Sequence, residues 1–159
     1  MDSRLLTAGQ LGIRPEIVAG QPIREAAPLY RHRKAVDRIR ASIRPDTAAG
    51  GACVHVADVY VSFPDGSLKR PDIAVFCREP DEQDEAIRLL PEAVIEVVSK
   101  RCECKDLELG PPFYLTQGVR DVLVFDPQTL LVLHVRRDRA ERLVSPVTIA
   151  LECGCEVTV

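Results

Sequence analysis

Two carboxylates are the residues of this chain whose type and placement could do chemistry. Asp72 follows Pro71 and opens the apolar run Ile-Ala-Val-Phe, and Glu96 lies inside the run Ala-Val-Ile-Glu-Val-Val-Ser. Runs of small and β-branched apolar residues predict strands that are buried on both faces. A buried carboxylate is costly unless it takes up a proton or pairs with a cation, so Glu96 needs one of these two solutions.

Asp72 and Glu96 would come close together if their two strands were neighbours. Like charges at short distance repel each other, and a divalent cation between them would relieve that repulsion. Mg²⁺ takes oxygen ligands, often one or two carboxylates with waters and substrate phosphates, and such a site suits phosphodiester hydrolysis. A plainer alternative stays open, in which Asp72 caps a turn and Glu96 pairs with an arginine.

The elements that must position these carboxylates alternate between strands and short helices, which predicts the α/β (α+β) class with a central sheet. The acidic segment before Glu96 predicts a loop with a short helix. The predicted elements, in chain order, are strands around a turn at Gly20 (15–23), a helix (28–45), a strand with a β-bulge near Asp58 (53–63), a strand that pairs back on it (70–77), a strand (93–98), a short helix (113–119), two strands (121–126 and 130–137) and one or two strands in the tail.

The predicted helix over 28–45 has one apolar face, which includes Leu29 and His32, and a strongly basic remainder. His32 is interpreted as a core or supporting histidine. Two interpretations of the basic residues stay open, a solvated helix surface or contact with a phosphate backbone. The basic residues are Arg31, Arg33, Lys34, Arg38, Arg40 and Arg44.

The bulk composition is that of an ordinary globular protein. A length of 159 residues fits one domain, and a formal net charge of −3 argues against a strongly basic nucleic-acid binder. No stretch approaches the roughly 18 apolar residues of a membrane span, and the N-terminus lacks the apolar core of a signal peptide. We therefore expect a cytoplasmic protein whose cysteines are mostly reduced thiols.

The chain resembles the PD-(D/E)XK nucleases and, more closely, the small stand-alone restriction endonucleases of the Uma family. The likeness covers most of the chain, and it is carried by Pro-Asp at 71–72 and by Glu-Val-x-Ser at 96–99. Upstream, Glu16 and Gly20 resemble the N-terminal hairpin of the family, and His32 matches a histidine of its first helix. The other matching residues, aligned without a gap after Glu96, are Asp106, Tyr114, Gly118, Val119, Asp126 and Pro127.

The resemblance implies a restriction-endonuclease-like core, a central mixed β-sheet flanked by helices, in one domain over residues 1–159. It implies Mg²⁺ or Mn²⁺ held by Asp72, Glu96 and the backbone carbonyl of Val97, with DNA as the substrate and a homodimer as the assembly. The residues expected to support this site from around it are Glu16, His32, Ser99 and Asp106.

The chain departs from the family at the lysine. The wider superfamily carries it two residues after the glutamate, where this chain has Val98, and the closer family carries it on the next helix, where this chain has Gly110. The prolines at 111–112 predict that this helix is shortened or remodelled. Lys100 is the candidate substitute, with Lys105 as another, although both could be solvated loop lysines. Two functions therefore stay open, a metal-dependent endonuclease and a catalytically degenerate relative that binds nucleic acid or a protein partner.

The cysteines suggest a third hypothesis, a metal-binding protein unrelated to nucleic acid. Cys53 and Cys77 lie at strand ends and are interpreted as small apolar fillers. Two C-x-C pairs could supply a tetrahedral zinc site, but zinc knuckles use the wider C-x₂-C spacing, so free or buried thiols remain the alternative. The residues of these two pairs are Cys102, Cys104, Cys153 and Cys155.

Overall fold

A computed structural model describes residues 15–25, 27–48, 52–100 and 105–159, with side chains described from Leu107 onward in the last range. Helix α1 is Tyr30–Ser42, a π-helical turn spans Lys105–Leu109, and helix α2 is Gly110–Gln117. The strands are β1 Pro15–Val18, β2 Gln21–Arg24, β3 Arg44–Pro45, β4 Val54–Ala57, β5 Val61–Ser62, β6 Leu68–Lys69, β7 Ile73–Phe76, β8 Ala93–Val97, β9 Asp121–Phe125, β10 Leu131–Val135, β11 Ala140–Val144, β12 Thr148–Ala150 and β13 Cys155–Thr158.

The centre of the fold is a six-stranded mixed sheet with the order β11-β10-β9-β8-β7-β4. Strands β8 and β9 run parallel, and the other neighbouring pairs run antiparallel. A four-stranded sheet (β2-β1-β6-β5) and a three-stranded sheet (β12-β13-β3) flank it. The predicted α/β class with a central mixed sheet is therefore confirmed.

The central strands are buried on both faces because each face is covered by a different helix. One face packs Ile73 and Ile95 with residues of α1 such as Ile39, and the other packs Val94 with Tyr114 of α2. Successive side chains of a strand point to opposite faces, so continuous apolar runs are what two-sided burial requires. This arrangement accounts for the sequence pattern around Glu96.

Helix α1 confirms the prediction made from its apolar spacing, with Val36 and Ile39 buried. Leu29 was predicted to lie on the apolar face of the helix, and this prediction is wrong. The helix begins only at Tyr30, and Leu29 is 64% exposed. The predicted bulge near Asp58 is also wrong. Asp58 has a φ of 60°, and there the chain leaves the central sheet for the four-stranded sheet, so the shift in apolar phase marks two separate strands.

Two further predictions about local structure differ from the fold. Residues 78–90 contain no helix and instead cross the surface, where Ile87 forms a bridge to Val61. The second helix begins at Gly110 and not at residue 113, because the prolines at 111–112 lie in its first turn, where no backbone N–H is needed for the helix. Gly118 ends this helix in the left-handed conformation with a φ of 102°.

The cysteines differ most from expectation. Cys53 forms a disulfide with Cys155, which ties the start of β4 to β13, so neither is the reduced thiol that we expected. Cys77 is exposed and therefore is not an apolar filler. No helix in the described ranges is long and apolar enough to cross a bilayer.

Candidate active site

The two predicted carboxylates meet at one end of the β7–β8 pair. The register pairs Ile73 with Ile95, so Asp72, one residue before β7, lies beside Glu96. The backbone N–H of Asp72 donates to Oε2 of Glu96 over 3.2 Å, and the N–H of Val97 donates to Oδ2 of Asp72 over 2.8 Å. Each carboxylate is thus held by the backbone of the strand that carries the other.

Glu96 is held in place from the second helix as well. The hydroxyl of Tyr114, a fully buried residue of α2, donates to Oε1 of Glu96 over 2.5 Å. Burial raises the pKa of Glu96 well above its ordinary value, and the neighbouring Asp72 raises it further, while Lys69 and the Tyr114 hydrogen bond act in the opposite direction. No arginine in the described part of the chain pairs with Glu96.

His32 connects helix α1 to the same site. Its Nε2 lies 3.1 Å from Oδ2 of Asp72, the oxygen that also accepts the Val97 N–H. The imidazole is 13% exposed and the Asp72 side chain 22% exposed. A histidine in this position can fix the orientation of the carboxylate, and the supporting role of His32 stays a prediction.

Glu16 and Lys69 form a buried charged pair on the other side of the carboxylates. Glu16 is 1% exposed on β1, and its Oε1 accepts the N–H of Arg70 over 2.9 Å. The ammonium of Lys69 lies 3.7 Å from Oε2 of Glu16 and 4.6 Å from the centre of the Tyr114 ring. The structure therefore brings Glu16 into the site, as expected, together with a lysine that the sequence analysis did not single out.

Ser99 and Lys100 lie beside the site and not within it. They line a cavity of about 250 Å³ that also takes in His32. Lys100 is exposed. Its role as the substitute lysine stays a prediction. The other residues that line this cavity are Leu29, Arg31, Val98, Asp126, Pro127 and Gln128.

The donor atoms suit a hard cation, since Asp72 and Glu96 present carboxylate oxygens side by side. Among the described residues, no group of three or more His, Cys, Asp or Glu side chains is arranged to hold a metal. Mg²⁺ often takes one or two carboxylates and completes its shell with water and substrate, so the pair fits that ion. The side chain of Asp106 lies outside the described residues.

The structure describes two of the four cysteines considered for a zinc site. Cys155 is bonded to Cys53, so its thiolate is not available to a metal. Cys153 is a half-buried free thiol whose pKa is raised by burial. Cys102 and Cys104 lie outside the described residues.

Sequence reasoning missed two members of the site. Lys69 belongs to the two-residue strand β6, and only the pairing of β6 with β1 reveals its partner Glu16. Tyr114 was quoted as part of a motif but was given no role. The available signals were a lysine three residues before Asp72 and a tyrosine on an otherwise apolar helix face.

Comparison with known proteins identifies the family and the fold of the chain. The model of the family described as "Uma2: Putative restriction endonuclease" matches residues 4–153, so the chain belongs to that family. A crystal structure described as "a putative nuclease belonging to DUF820" from Anabaena variabilis aligns with a TM-score of 0.66 and 21% identity, over 86% of this chain and 80% of that one. This likeness establishes a shared fold. Among curated proteins, none matches the sequence.

Proposed function

We propose that this protein is a divalent-metal-dependent endonuclease that hydrolyses phosphodiester bonds in DNA, with Asp72 and Glu96 as the protein ligands of Mg²⁺ or Mn²⁺. The convergence of these two carboxylates at the end of the β7–β8 pair, where the backbone N–H of Asp72 donates to Oε2 of Glu96 over 3.2 Å, is the observation that carries the proposal. Membership of a restriction endonuclease family supports the same reaction class. The carbonyl of Val97 is a further ligand in the proposal.

Each protein group in the site has a distinct task. His32 and the Val97 N–H orient Asp72, and Tyr114 orients Glu96. When bound, the cation polarises the phosphoryl oxygen and lowers the pKa of its water. Because Glu96 has a raised pKa, the ion competes with a proton for this carboxylate, so affinity for the cation rises with pH.

The first helix supports DNA as the substrate. Arg31 lines the cavity next to the carboxylates together with Lys100 and His32. The exposed basic residues of α1 continue from this cavity along the helix surface, where they can neutralise phosphates. Binding should therefore weaken steeply with salt. These residues are Arg31, Arg33, Lys34, Arg38 and Arg40.

The experiment that tests the function is plasmid cleavage with Mg²⁺ or Mn²⁺. We expect cleavage by the wild-type protein, abolished by EDTA and reduced at least about 100-fold by Asp72→Asn. Asp81→Asn is the matched control, because this aspartate has an 86% exposed side chain on a surface loop and should keep full activity. Equal cleavage by the Asp72 and Asp81 variants would show that a contaminant is responsible.

A second function, a nuclease fold that binds nucleic acid or a partner without cleaving, is favoured by one observation. Oxygens of both carboxylates are already engaged by protein donors, Asp72 by His32 and Val97, and Glu96 by Tyr114. A protein that binds duplex DNA with salt dependence, yet cleaves none with either cation, would have this second function.

The proposal extends to a homodimer acting in the cytoplasm. Two copies of one chain related by a two-fold axis would present one site to each strand of a duplex. Sedimentation equilibrium measures the assembly directly, and a monomer at micromolar concentration would remove this extension without affecting the site.

A further inference from the structure

Lys69 is a buried cation at the edge of the carboxylate site. It is 4% exposed, and its ammonium lies 4.6 Å from the centre of the Tyr114 ring, whose hydroxyl binds Glu96. The same ammonium lies over Phe113 at 5.2 Å and faces Glu16 at 3.7 Å. Its charge is close enough to lower the pKa of Glu96.

The neighbouring cation does not share this position. Arg70, the next residue, pairs with Glu25 at 3.3 Å and with Asp58 at 2.7 Å, and it stacks over Tyr60. Lys69 is therefore the cation of this segment that faces the carboxylates.

Fold stability alone does not account for this lysine. Lysine is almost never fully buried, and a buried ion pair gives little stability over apolar residues of similar volume. The two positions at which the family resemblance places a lysine carry none, since Val98 is buried and apolar and Gly110 has no side chain, and Lys100 is exposed beside the site. A positive charge held in advance beside the reacting group is instead what stabilises a phosphoryl transition state.

We propose that Lys69 supplies the positive charge that stabilises the negative charge developing on the scissile phosphate. The inference rests on the proposed endonuclease function. In the hydrolysis, a water oxygen forms a bond to phosphorus as its proton passes to bulk water. The bond from phosphorus to the leaving sugar oxygen breaks, and that oxygen takes up a proton from water. The ammonium of Lys69 acts through its charge, and Glu16 holds it next to Tyr114 and Glu96.

The test is a comparison of Lys69→Met with the wild-type protein under single-turnover conditions. Methionine keeps the unbranched apolar stem and removes the charge. We expect the cleavage rate constant to fall at least about 100-fold, while the dissociation constant for DNA, measured with Ca²⁺ in place of Mg²⁺, changes less than about threefold. Lys69→Arg keeps the charge and should recover part of the rate.

A second pair of variants covers the case in which Lys69→Met fails to fold because Glu16 loses its partner. Glu16→Gln removes the need for a counter-charge, so the double variant Glu16→Gln/Lys69→Met should fold like Glu16→Gln. We expect the double variant to cleave at least about 100-fold more slowly than Glu16→Gln. Equal rates for these two proteins would overturn the inference, because they would make Lys69 only the counter-ion of Glu16.

The outcome for the wild-type protein separates the two proposals. If the wild-type protein cleaves DNA, and the double variant cleaves as fast as Glu16→Gln, the endonuclease stands and the role of Lys69 falls. If the wild-type protein shows no metal-dependent cleavage, the proposed function fails and the role of Lys69 fails with it.

Discussion

The phenolic oxygen of Tyr114 lies 2.5 Å from Oε1 of Glu96, which ties helix α2 to the carboxylate of strand β8. Tyr114 is the largest of the fully buried side chains, and its ring packs against Phe63 and Phe113. Because apolar packing fixes the ring, the hydroxyl is held at Glu96 without depending on solvent. Burial raises the pKa of Tyr114 well above its ordinary value, and the charge of Glu96 adds to this, so the hydroxyl stays a donor.

Removing this hydroxyl with Tyr114→Phe should destabilise the protein by about 1–3 kcal/mol, because one oxygen of Glu96 loses its donor. The pKa of Glu96 should rise further, since the hydrogen bond from Tyr114 lowers it. Urea unfolding measures the first effect, and Mg²⁺ affinity measured at several pH values reports the second. Tyr30→Phe is the matched control, because Tyr30 is 79% exposed and should unfold like the wild-type protein.

Glu96→Gln should make the protein more stable at neutral pH while removing cleavage. The folded state raises the pKa of Glu96 above its ordinary value of 4.5, so this group favours folding when protonated, and that contribution is lost as pH rises through the folded pKa. A neutral amide avoids the loss, and the difference between variant and wild type should grow from pH 4 to pH 8. Thermal unfolding from pH 4 to pH 8 measures this difference. A lower melting temperature for the variant than for the wild-type protein at pH 8 would contradict the prediction.

The sequence predicts the central sheet because two-sided burial leaves a strong signal. The apolar runs at 73–76, 93–97 and 121–125 can hardly be anything other than core strands, and helix α1 has clear apolar spacing. The strand break at Asp58 and the start of α2 were predicted wrongly, because a phase shift does not distinguish a bulge from a change of sheet, and prolines suit a first helical turn as well as a loop.

The sequence likewise predicted some residues of the candidate site and missed others. Asp72 and Glu96 stand out because a carboxylate in a core strand needs a reason. Lys69 pairs with Glu16 because strands β1 and β6 are neighbours, and a single residue pair sets the register of that contact. No local sequence pattern predicts this ion pair. The disulfide between Cys53 and Cys155 joins residues that are 102 positions apart. Grouping the cysteines into C-x-C pairs therefore could not predict it.

His32→Ala should lower cleavage and cation affinity about 10–100-fold, because residues that orient a metal ligand typically have effects of this size. The imidazole contacts Oδ2 of Asp72 at 3.1 Å, so its removal takes away one of the groups that orient this carboxylate. His32→Asn keeps a polar nitrogen near this place and should recover part of the loss. His55→Ala is the control, since its partner is Arg40 on the surface and not a site carboxylate, and an equal loss in this variant would contradict the prediction.

Asp121→Asn should destabilise the protein by about 3 kcal/mol at pH 7, because Asp121 is the buried centre of a charged network. Its side chain accepts hydrogen bonds from His134 at 2.7 Å, Arg136 at 2.5 Å and the N–H of Glu152 at 2.8 Å. Burial alone would raise the pKa of Asp121, and these bonds together lower it below the ordinary 3.8.

The lowered pKa sets the direction of the pH dependence at Asp121. Asp121 stabilises the fold at pH values above its unfolded-state pKa of 3.8. This contribution is lost as the pH falls through the pKa of the folded state. Urea unfolding from pH 7 to pH 3 should therefore show a gap between wild type and Asp121→Asn that narrows towards acid. A difference in unfolding free energy that stays constant over this pH range would show that the network stabilises the fold through its packing geometry and not through charge.

Cys53→Ser should destabilise the protein by about 4 kcal/mol under oxidising conditions, because the disulfide to Cys155 closes a loop of 102 positions in the unfolded chain. Cys77→Ser is the matched control, since this exposed thiol has no disulfide, and it should unfold like the wild-type protein. A reductant should bring wild type and Cys53→Ser to the same stability. Alkylation of the unreduced, denatured wild-type protein should leave Cys53 and Cys155 unlabelled, and labelling of both would show that the bond does not form. Because disulfides are rare in reducing compartments, the same measurement on protein taken directly from cells tests the expected cytoplasmic location.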